Sequence, residues 1–245
     1  MTTLKYIKMN GLGNDFVIFD ARDHPLPKIN FQEIADRKNG VGCDQILVME
    51  NSSKADCLMR IFNADGSEVF ACGNGTRCVS KLLGGEAHTI EVGDRILETR
   101  NHANGDVSVN MGKPLAFYAM EIDQIQGTVI HVGNPHFVLQ SIPKDPLLGK
   151  FIENHSKFPD RINVNFGHVI TRDTIHLTTF ERGVGFTKAC GTGACATAFV
   201  FHHLGLVDGV VWVNMEEGRL RIEMNQDQII MEGNAVFEYE GVIDV

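Results

Sequence analysis

Two short stretches of this sequence carry the residue types that acid/base chemistry needs. Cys72-Gly-Asn-Gly75 and Cys190-Gly-Thr-Gly193 each set a cysteine ahead of a glycine-rich turn that opens a helix. At such a turn the first backbone N–H groups have no intrahelical partner, and the positive end of the helix dipole favours anions. The expected consequence is a thiol whose pKa falls from about 8.5 toward neutrality, so that a thiolate can serve as a base. The bare amides can hold a carboxylate beside it. Taken singly, either motif reads equally well as a packed cysteine before a tight turn, since cysteine is among the residues most often buried. Duplication changes the weighing, because a pseudo-twofold arrangement would let two such thiols flank one ligand in a cleft between the halves. One thiolate would then remove a proton from a carbon and the other thiol return one on the opposite face. Helix N–H groups would stabilise the charge developing on an adjacent carboxylate. That is the chemistry of a racemase or epimerase without a cofactor.

The elements that must position these cysteines repeat as well. Residues 60–76 lie over 178–194 at a constant offset of 118, so that Phe62 meets Phe180, Ala71 meets Ala189, and Gly73 and Gly75 meet Gly191 and Gly193. The same offset sets Gln45 over Asn163, and a slightly larger one sets Gly13-Asn14 over Gly133-Asn134. Each half reads as strands, a helix, strands, a second helix opened by the Cys-Gly motif, then more strands. In the first half strands are expected near Phe16 to Asp20, Gln45 to Glu50 and Leu58 to Asn63, with a helix near Phe31 to Lys38. In the second they are expected near Thr128 to Gly133, Phe137 to Gln140, Ile162 to Ile170 and Thr174 to Glu181, with a helix near Pro146 to His155. The run from Ala194 to Leu204 is apolar nearly all round for two turns, so its helix should lie buried inside a strand-rich half. The fold class is α+β, in two pseudo-symmetric halves. Glycine and proline at Gly112-Lys113-Pro114 punctuate a strand and divide residues 1–113, with Cys72, from 114–245, with Cys190. The last strand is free to pack back on the first half.

Composition narrows the partners. The 245 residues are 43% hydrophobic and 22% charged, as in folded soluble proteins. With 22 Lys+Arg against 31 Asp+Glu the net charge is −9, and no basic run could neutralise phosphates, so nucleic acid is not an expected partner. No stretch of about 18 apolar residues suits a membrane span, and the N-terminus lacks an apolar signal segment, which reads as a cytoplasmic protein. Six cysteines are too sparse for a disulfide scaffold. Neither Cys72/Cys78 nor Cys190/Cys195 has the spacing of a structural zinc site, so no metal is expected. Cys43, Cys57, Cys78 and Cys195 read as packing residues. Gly11-Leu-Gly13 precedes a strand-like run rather than a helix, which argues against a dinucleotide site.

Several motifs in order resemble the diaminopimelate epimerase family over essentially the whole chain. They are Met9-Asn-Gly-Leu-Gly-Asn-Asp-Phe16, Gly40-Val-Gly-Cys-Asp-Gln45, Phe62-Asn-Ala-Asp-Gly-Ser-Glu68, Ala71-Cys-Gly-Asn-Gly-Thr-Arg-Cys78, Gly133-Asn-Pro-His136, Arg161-Ile-Asn163, Glu181-Arg-Gly-Val-Gly185 and Ala189-Cys-Gly-Thr-Gly193. The resemblance implies two similar halves, each a β-barrel-like sheet around a central helix, and a homodimer. It implies pyridoxal-independent interconversion of LL- and meso-diaminopimelate, on the route to lysine and peptidoglycan precursors, with no cofactor. Cys72 and Cys190 would be the two acid/base residues, with His136 and Glu181 assisting thiol deprotonation. Substrate contacts would come from Asn14, Gln45, Asn63, Gly73, Asn74, Asn134, Asn163, Glu181, Arg182, Gly191 and Thr192. Amides and an arginine suit a small amino-acid substrate with two ammonium and two carboxylate groups. Two departures stand out: Phe186 where the family usually has Glu, although Glu68 keeps the equivalent acid in the first half, and Asn10 in place of a common His. The alternatives are a proline or hydroxyproline epimerase, whose pocket needs fewer polar groups, and a thiol redox or metal-binding protein with Cys72 and Cys190 as sensors.

Overall fold

The computed structural model describes residues 2–140, 145–226 and 228–245. In chain order its elements begin with β1 (Thr3–Gly11), β2 (Asn14–Asp20), α1 (Phe31–Ala35), β3 (Gln45–Glu50), β4 (Cys57–Asn63), β5 (Glu68–Val69) and α2 (Gly73–Leu83). There follow β6 (Ala87–Val92), β7 (Arg95–Asn101), β8 (Asp106–Gly112), β9 (Ala116–Ile122), β10 (Ile125–His131), β11 (Pro135–Gln140) and α3 (Pro146–Glu153). The last are β12 (Asn163–Thr171), β13 (Thr174–Glu181), β14 (Gly185–Thr187), α4 (Gly191–His203), β15 (Val210–Met215), β16 (Gly218–Asn225), β17 (Gln228–Asn234) and β18 (Val236–Asp244). The chain divides into two compact units, residues 1–109 with 233–245, and residues 110–232. Strand β18 thus belongs to the first unit, paired antiparallel with β1.

Each unit builds its sheet by the same rule. In the first, β18, β1 and β2 run antiparallel, β2 pairs parallel with β3, β3 antiparallel with β4, β4 parallel with β6, and β6, β7 and β8 antiparallel. In the second, β9, β10, β11, β12, β13, β15, β16 and β17 repeat that succession of orientations. The register repeats too: Ile46 faces Phe62 and Phe62 faces Glu68, just as Val164 faces Phe180 and Phe180 faces Phe186. The fold is α+β, with a barrel-like sheet and a central helix in each unit.

Burial explains the helices. The apolar run of α4 is covered on every side, with Gly191 to Ala198, Val200 and Phe201 buried against β10 to β13, β15 and β16. Helix α2 packs on β1, β6 and β7. Because a helix fills one face of each sheet and a hydrophobic cluster covers the other, β3 is buried on both faces, which accounts for its unbroken Ile-Leu-Val-Met run. The outer cluster of the first unit joins Val17, Phe19, Ile46, Val48 and Phe62 to Ile34 of α1, while in the second unit Phe137, Leu139, Val164, Phe166 and Phe180 pack with Ile152 of α3. Helix α1 is shorter than the Phe31 to Lys38 expected, because Asp36 is extended and its carboxylate accepts from the backbone N–H of Lys38 and Asn39 at 2.6 and 3.1 Å. That local turn competes with another helical turn.

Candidate active site

In the first unit Cys72 is the N-cap of α2. Its backbone is extended and its sulfur accepts from the Gly75 N–H at 3.3 Å, so the thiol sits against the helix terminus. The S–H donates toward Asn14 Oδ1 at 3.9 Å, and the Asn74 amide reaches the same oxygen at 3.5 Å. Asn14 is fixed from behind, its amide N–H donating to Asp44 Oδ2 at 3.1 Å. Asp44 and Asp15 share the guanidinium of Arg37 at 2.7 Å, and buried Lys8 donates to Asp15 at 2.6 Å. Burial acts to raise the Asp15 carboxyl, but hydrogen bonds from Arg37 and Lys8 hold it well below the usual carboxylate range. A second polar pair comes from adjoining strands, with Gln45 Nε2 donating to Asn63 Oδ1 at 2.9 Å. Gly73 and Asn74 are buried in the first turn of α2, where buried Arg77 donates to Asn74 Oδ1 at 3.0 Å.

In the second unit Cys190 caps α4, and its sulfur lies 3.6 Å from Thr192 Oγ1. His136, from β11, is fully buried. Its Nε2 lies 3.1 Å from Thr192 Oγ1 and 2.9 Å from Asn134 Oδ1, and its Nδ1 is 3.2 Å from Asn165 Oδ1. Asn163, next to His136 across the parallel β11/β12 pair, donates to the Pro135 carbonyl at 2.8 Å and accepts from the Arg182 N–H at 2.9 Å. Thr187 Oγ1 donates to Glu181 Oε1 at 2.5 Å. The exposed Arg182 guanidinium gives one N–H to the Asp160 carbonyl at 3.1 Å. Gly191 is buried in the first turn of α4.

The residues picked out by sequence therefore gather into two sets, Cys72 with Asn14, Gly73 and Asn74 near Gln45 and Asn63, and Cys190 with Thr192, Gly191, His136 and Asn134 near Asn163, Glu181 and Arg182. The expectation of a lowered thiol pKa needs correction at Cys190. Burial and the Glu181 carboxylate hold that thiol well above its ordinary value, outweighing the hydrogen bonding between its sulfur and Thr192 and the Gly193 N–H. Burial pushes His136 down to about 4, so the ring is neutral near neutral pH. Sequence reasoning missed Asp44, Asp15, Lys8 and Arg37 behind Asn14, and Asn165 behind His136. Asp44 stood beside Gln45 in a quoted motif, which was a usable signal; Asn165 lay in a strand and offered none.

The diaminopimelate epimerase family profile matches the chain twice, over residues 6–116 and 128–238. The chain belongs to the diaminopimelate epimerase family. A diaminopimelate epimerase of Rhizorhabdus wittichii is 45% identical over 99% of this chain and 96% of its own length. Among solved structures, a predicted epimerase from Pseudomonas aeruginosa superposes with a TM-score of 0.76 at 14% identity, covering 98% of this chain and 99% of that one. A hydroxyproline epimerase from Agrobacterium vitis, with trans-4-hydroxy-L-proline bound, gives 0.70 at 13% identity, covering 98% and 92%. Both share the fold of the diaminopimelate epimerase family. Phe186, at the position where the resemblance led to an expected glutamate, packs instead, its ring meeting Phe180 edge-on at 5.2 Å and Phe166 at 5.9 Å. A cavity of about 540 Å³ in the first unit lies away from the Cys72 set, between Leu26 to Ile29 and the outer face at Val48 and Phe62. Among the described residues no group of three or more His, Cys, Asp or Glu is placed to hold a metal, and no helix is long and apolar enough to cross a membrane.

Proposed function

We propose that this chain interconverts LL- and meso-diaminopimelate by two-base proton transfer, with Cys72 and Cys190 as the acid/base pair and no cofactor. One sulfur, as thiolate, takes the α-proton while the other, as thiol, delivers a proton to the opposite face. Charge moving onto the α-carboxylate is stabilised by the N–H groups at the helix starts, so no electron-sink cofactor is required. The observation that carries this reading is the repetition itself: each matched half ends a strand pair in a cysteine that caps a helix. His136 and Glu181 tune the Cys190 proton, and the side-chain amides of Asn14, Gln45, Asn63, Asn74, Asn134 and Asn163, with Arg182, Thr192 and the N–H groups at Gly73 and Gly191, hold the substrate. Amide oxygens accept from ammonium groups and the guanidinium takes a carboxylate, which favours a doubly zwitterionic substrate over proline or hydroxyproline. The enzyme would act in the cytoplasm, on the lysine and peptidoglycan precursor route. A homodimer is supported by Phe237, Tyr239 and Val242, large side chains left exposed along β18.

The test is α-proton exchange in deuterated water with purified, reduced protein, comparing Cys72→Ser and Cys190→Ser. Both variants should lose epimerisation almost entirely, because a hydroxyl cannot supply the anion near neutral pH. Each should keep exchange of only the stereoisomer facing its remaining thiol. Wild-type inversion by either variant, or a preference for proline over diaminopimelate, would overturn the reading.

A further inference from the structure

Near neutral pH the buried His136 ring carries a single hydrogen, and which nitrogen holds it follows from counting donors around Asn165. The Asn165 amide is fully buried and gives its two N–H hydrogens to the Gly193 carbonyl at 3.0 Å and to Thr197 Oγ1 at 3.1 Å. A backbone carbonyl can only accept, so turning this amide over would set two oxygens against each other where no water can relieve them. The Asn165 oxygen is thereby committed to His136 Nδ1, 3.2 Å away, as an acceptor. We propose that Asn165 is a positioning residue that holds His136 as its Nδ1–H tautomer, leaving the Nε2 lone pair to govern Thr192 and, through it, Cys190.

The consequences run outward from the ring. Nε2 can only accept, so the Thr192 hydroxyl at 3.1 Å donates to it, and the Asn134 amide, whose Oδ1 lies 2.9 Å from Nε2, must be turned over to present its NH2 group to the ring. With its one hydrogen spent on His136, Thr192 Oγ1 is left to accept from the Cys190 S–H, 3.6 Å away. The chain of donors then runs from Cys190 through Thr192 to His136 and keeps the proton on Cys190 in the unliganded site. The opposite tautomer would reverse it, with Nε2–H donating to Thr192 and the hydroxyl hydrogen turned onto the sulfur. The device exists in one half only. In the repeat Leu47 stands where Asn165 stands, and Phe16, which pairs with Gln45 as His136 pairs with Asn163, occupies the histidine position. For catalysis the proposal rests on Cys190 being an acid/base residue.

The test is ¹⁵N NMR of histidine-labelled, unliganded protein near neutral pH, with the His136 signals assigned by their loss in His136→Gln. Long-range ¹⁵N–¹H correlations distinguish the two tautomers, and Nδ1–H is expected. An Nε2–H ring in the wild type would overturn the proposal outright. Asn165→Leu, which copies the side chain of the other half, should introduce Nε2–H and lower kcat by roughly tenfold or more while KM changes by less than about threefold. A folded Asn165→Leu protein that keeps both the Nδ1–H ring and wild-type kcat would refute the positioning role. If that variant does not fold, the wild-type spectrum decides alone. An Nδ1–H ring in a protein that does not epimerise diaminopimelate would support the tautomer lock while overturning the functional reading.

Discussion

The two glycines that follow the capping cysteines by three residues offer a matched perturbation, Gly75→Ala and Gly193→Ala. Both lie in the first turn of a helix, where alanine improves helix propensity by up to about 1 kcal/mol. What opposes that gain differs. A methyl at Gly75 would lie 3.0 and 3.2 Å from the two terminal carbons of Leu47 and 3.3 Å from Cys72 Sγ, and a leucine tip can swing aside. A methyl at Gly193 would lie 2.8 Å from Thr179 Oγ1, 3.2 Å from Asn165 Oδ1 and 3.2 Å from Cys190 Sγ. None of these yields easily, since Thr179 is β-branched and buried and Asn165 is tied at both ends of its amide. Overpacking of that kind costs about 1–3 kcal/mol. Net of the helical gain, Gly193→Ala should be destabilised by roughly 1–2 kcal/mol, or about 2–8 °C in Tm, and Gly75→Ala by close to nothing. The displaced atoms include Cys190 Sγ and the acceptor for His136, so epimerase kcat should fall about tenfold or more in Gly193→Ala. Thermal melting and steady-state kinetics on the two variants side by side check both numbers. Equal Tm and equal kcat for the pair would show that the close packing behind Cys190 does not constrain it, and the reasoning would fail.

Two further outcomes follow from burial. Burial raises the thiols of Cys43 and Cys57 from 9.0 to about 11 and that of Cys78 to about 12, so the folded protein keeps protons that the unfolded chain releases. Their contribution is complete below pH 9 and is lost as the pH climbs toward 11 to 12, at up to about 1.4 kcal/mol per pH unit for each thiol. Urea midpoints should therefore drop steeply between pH 9 and pH 11, and a flat profile would contradict the assigned burial. Phe186→Glu should cost roughly 2–4 kcal/mol in denaturant melts, because it removes two ring contacts and sets a carboxylate against Phe166 and Phe180. Glu68 at the matching position is balanced by Arg60 at 2.8 Å, where the second unit has Thr178, so Thr178→Arg should recover part of the loss. Unchanged melting of Phe186→Glu would refute this account of the substitution.

Much of the fold was legible in the repeat. The offset that aligned Cys72 with Cys190 also aligned Ile46 and Phe62 with Val164 and Phe180, and those are the pairs that face each other across β3/β4 and β12/β13. The burial of α4 followed from a run with no polar face. Other features depend on contacts that no local pattern encodes. Strand β1 reads weakly, with lysines at positions 5 and 8, and is completed by β18 more than 220 positions later. The lowered thiol expected from a helix terminus took no account of a neighbouring carboxylate and full burial, which reverse the sign at Cys190. Asn165 is a strand residue by pattern, and only the approach of Gly193, Thr197 and His136 gives its amide one permitted orientation.

The place of β18 in the chain has a consequence for synthesis. Residues 2 and 245 exchange backbone hydrogen bonds at 2.9 and 3.0 Å, yet all of the second unit, residues 110–232, is translated between the two parts of the first. At about 5–20 residues per second, roughly 6–25 s pass between completion of β8 and the start of β18, with the flank of β1 that β18 will cover left unpaired. An unpaired strand flank invites association with other chains. The second unit has no such delay, since all its strands are consecutive. On a translating ribosome the unit encoded second is thus the first able to close its sheet, and the unit that begins the chain is the last to be finished.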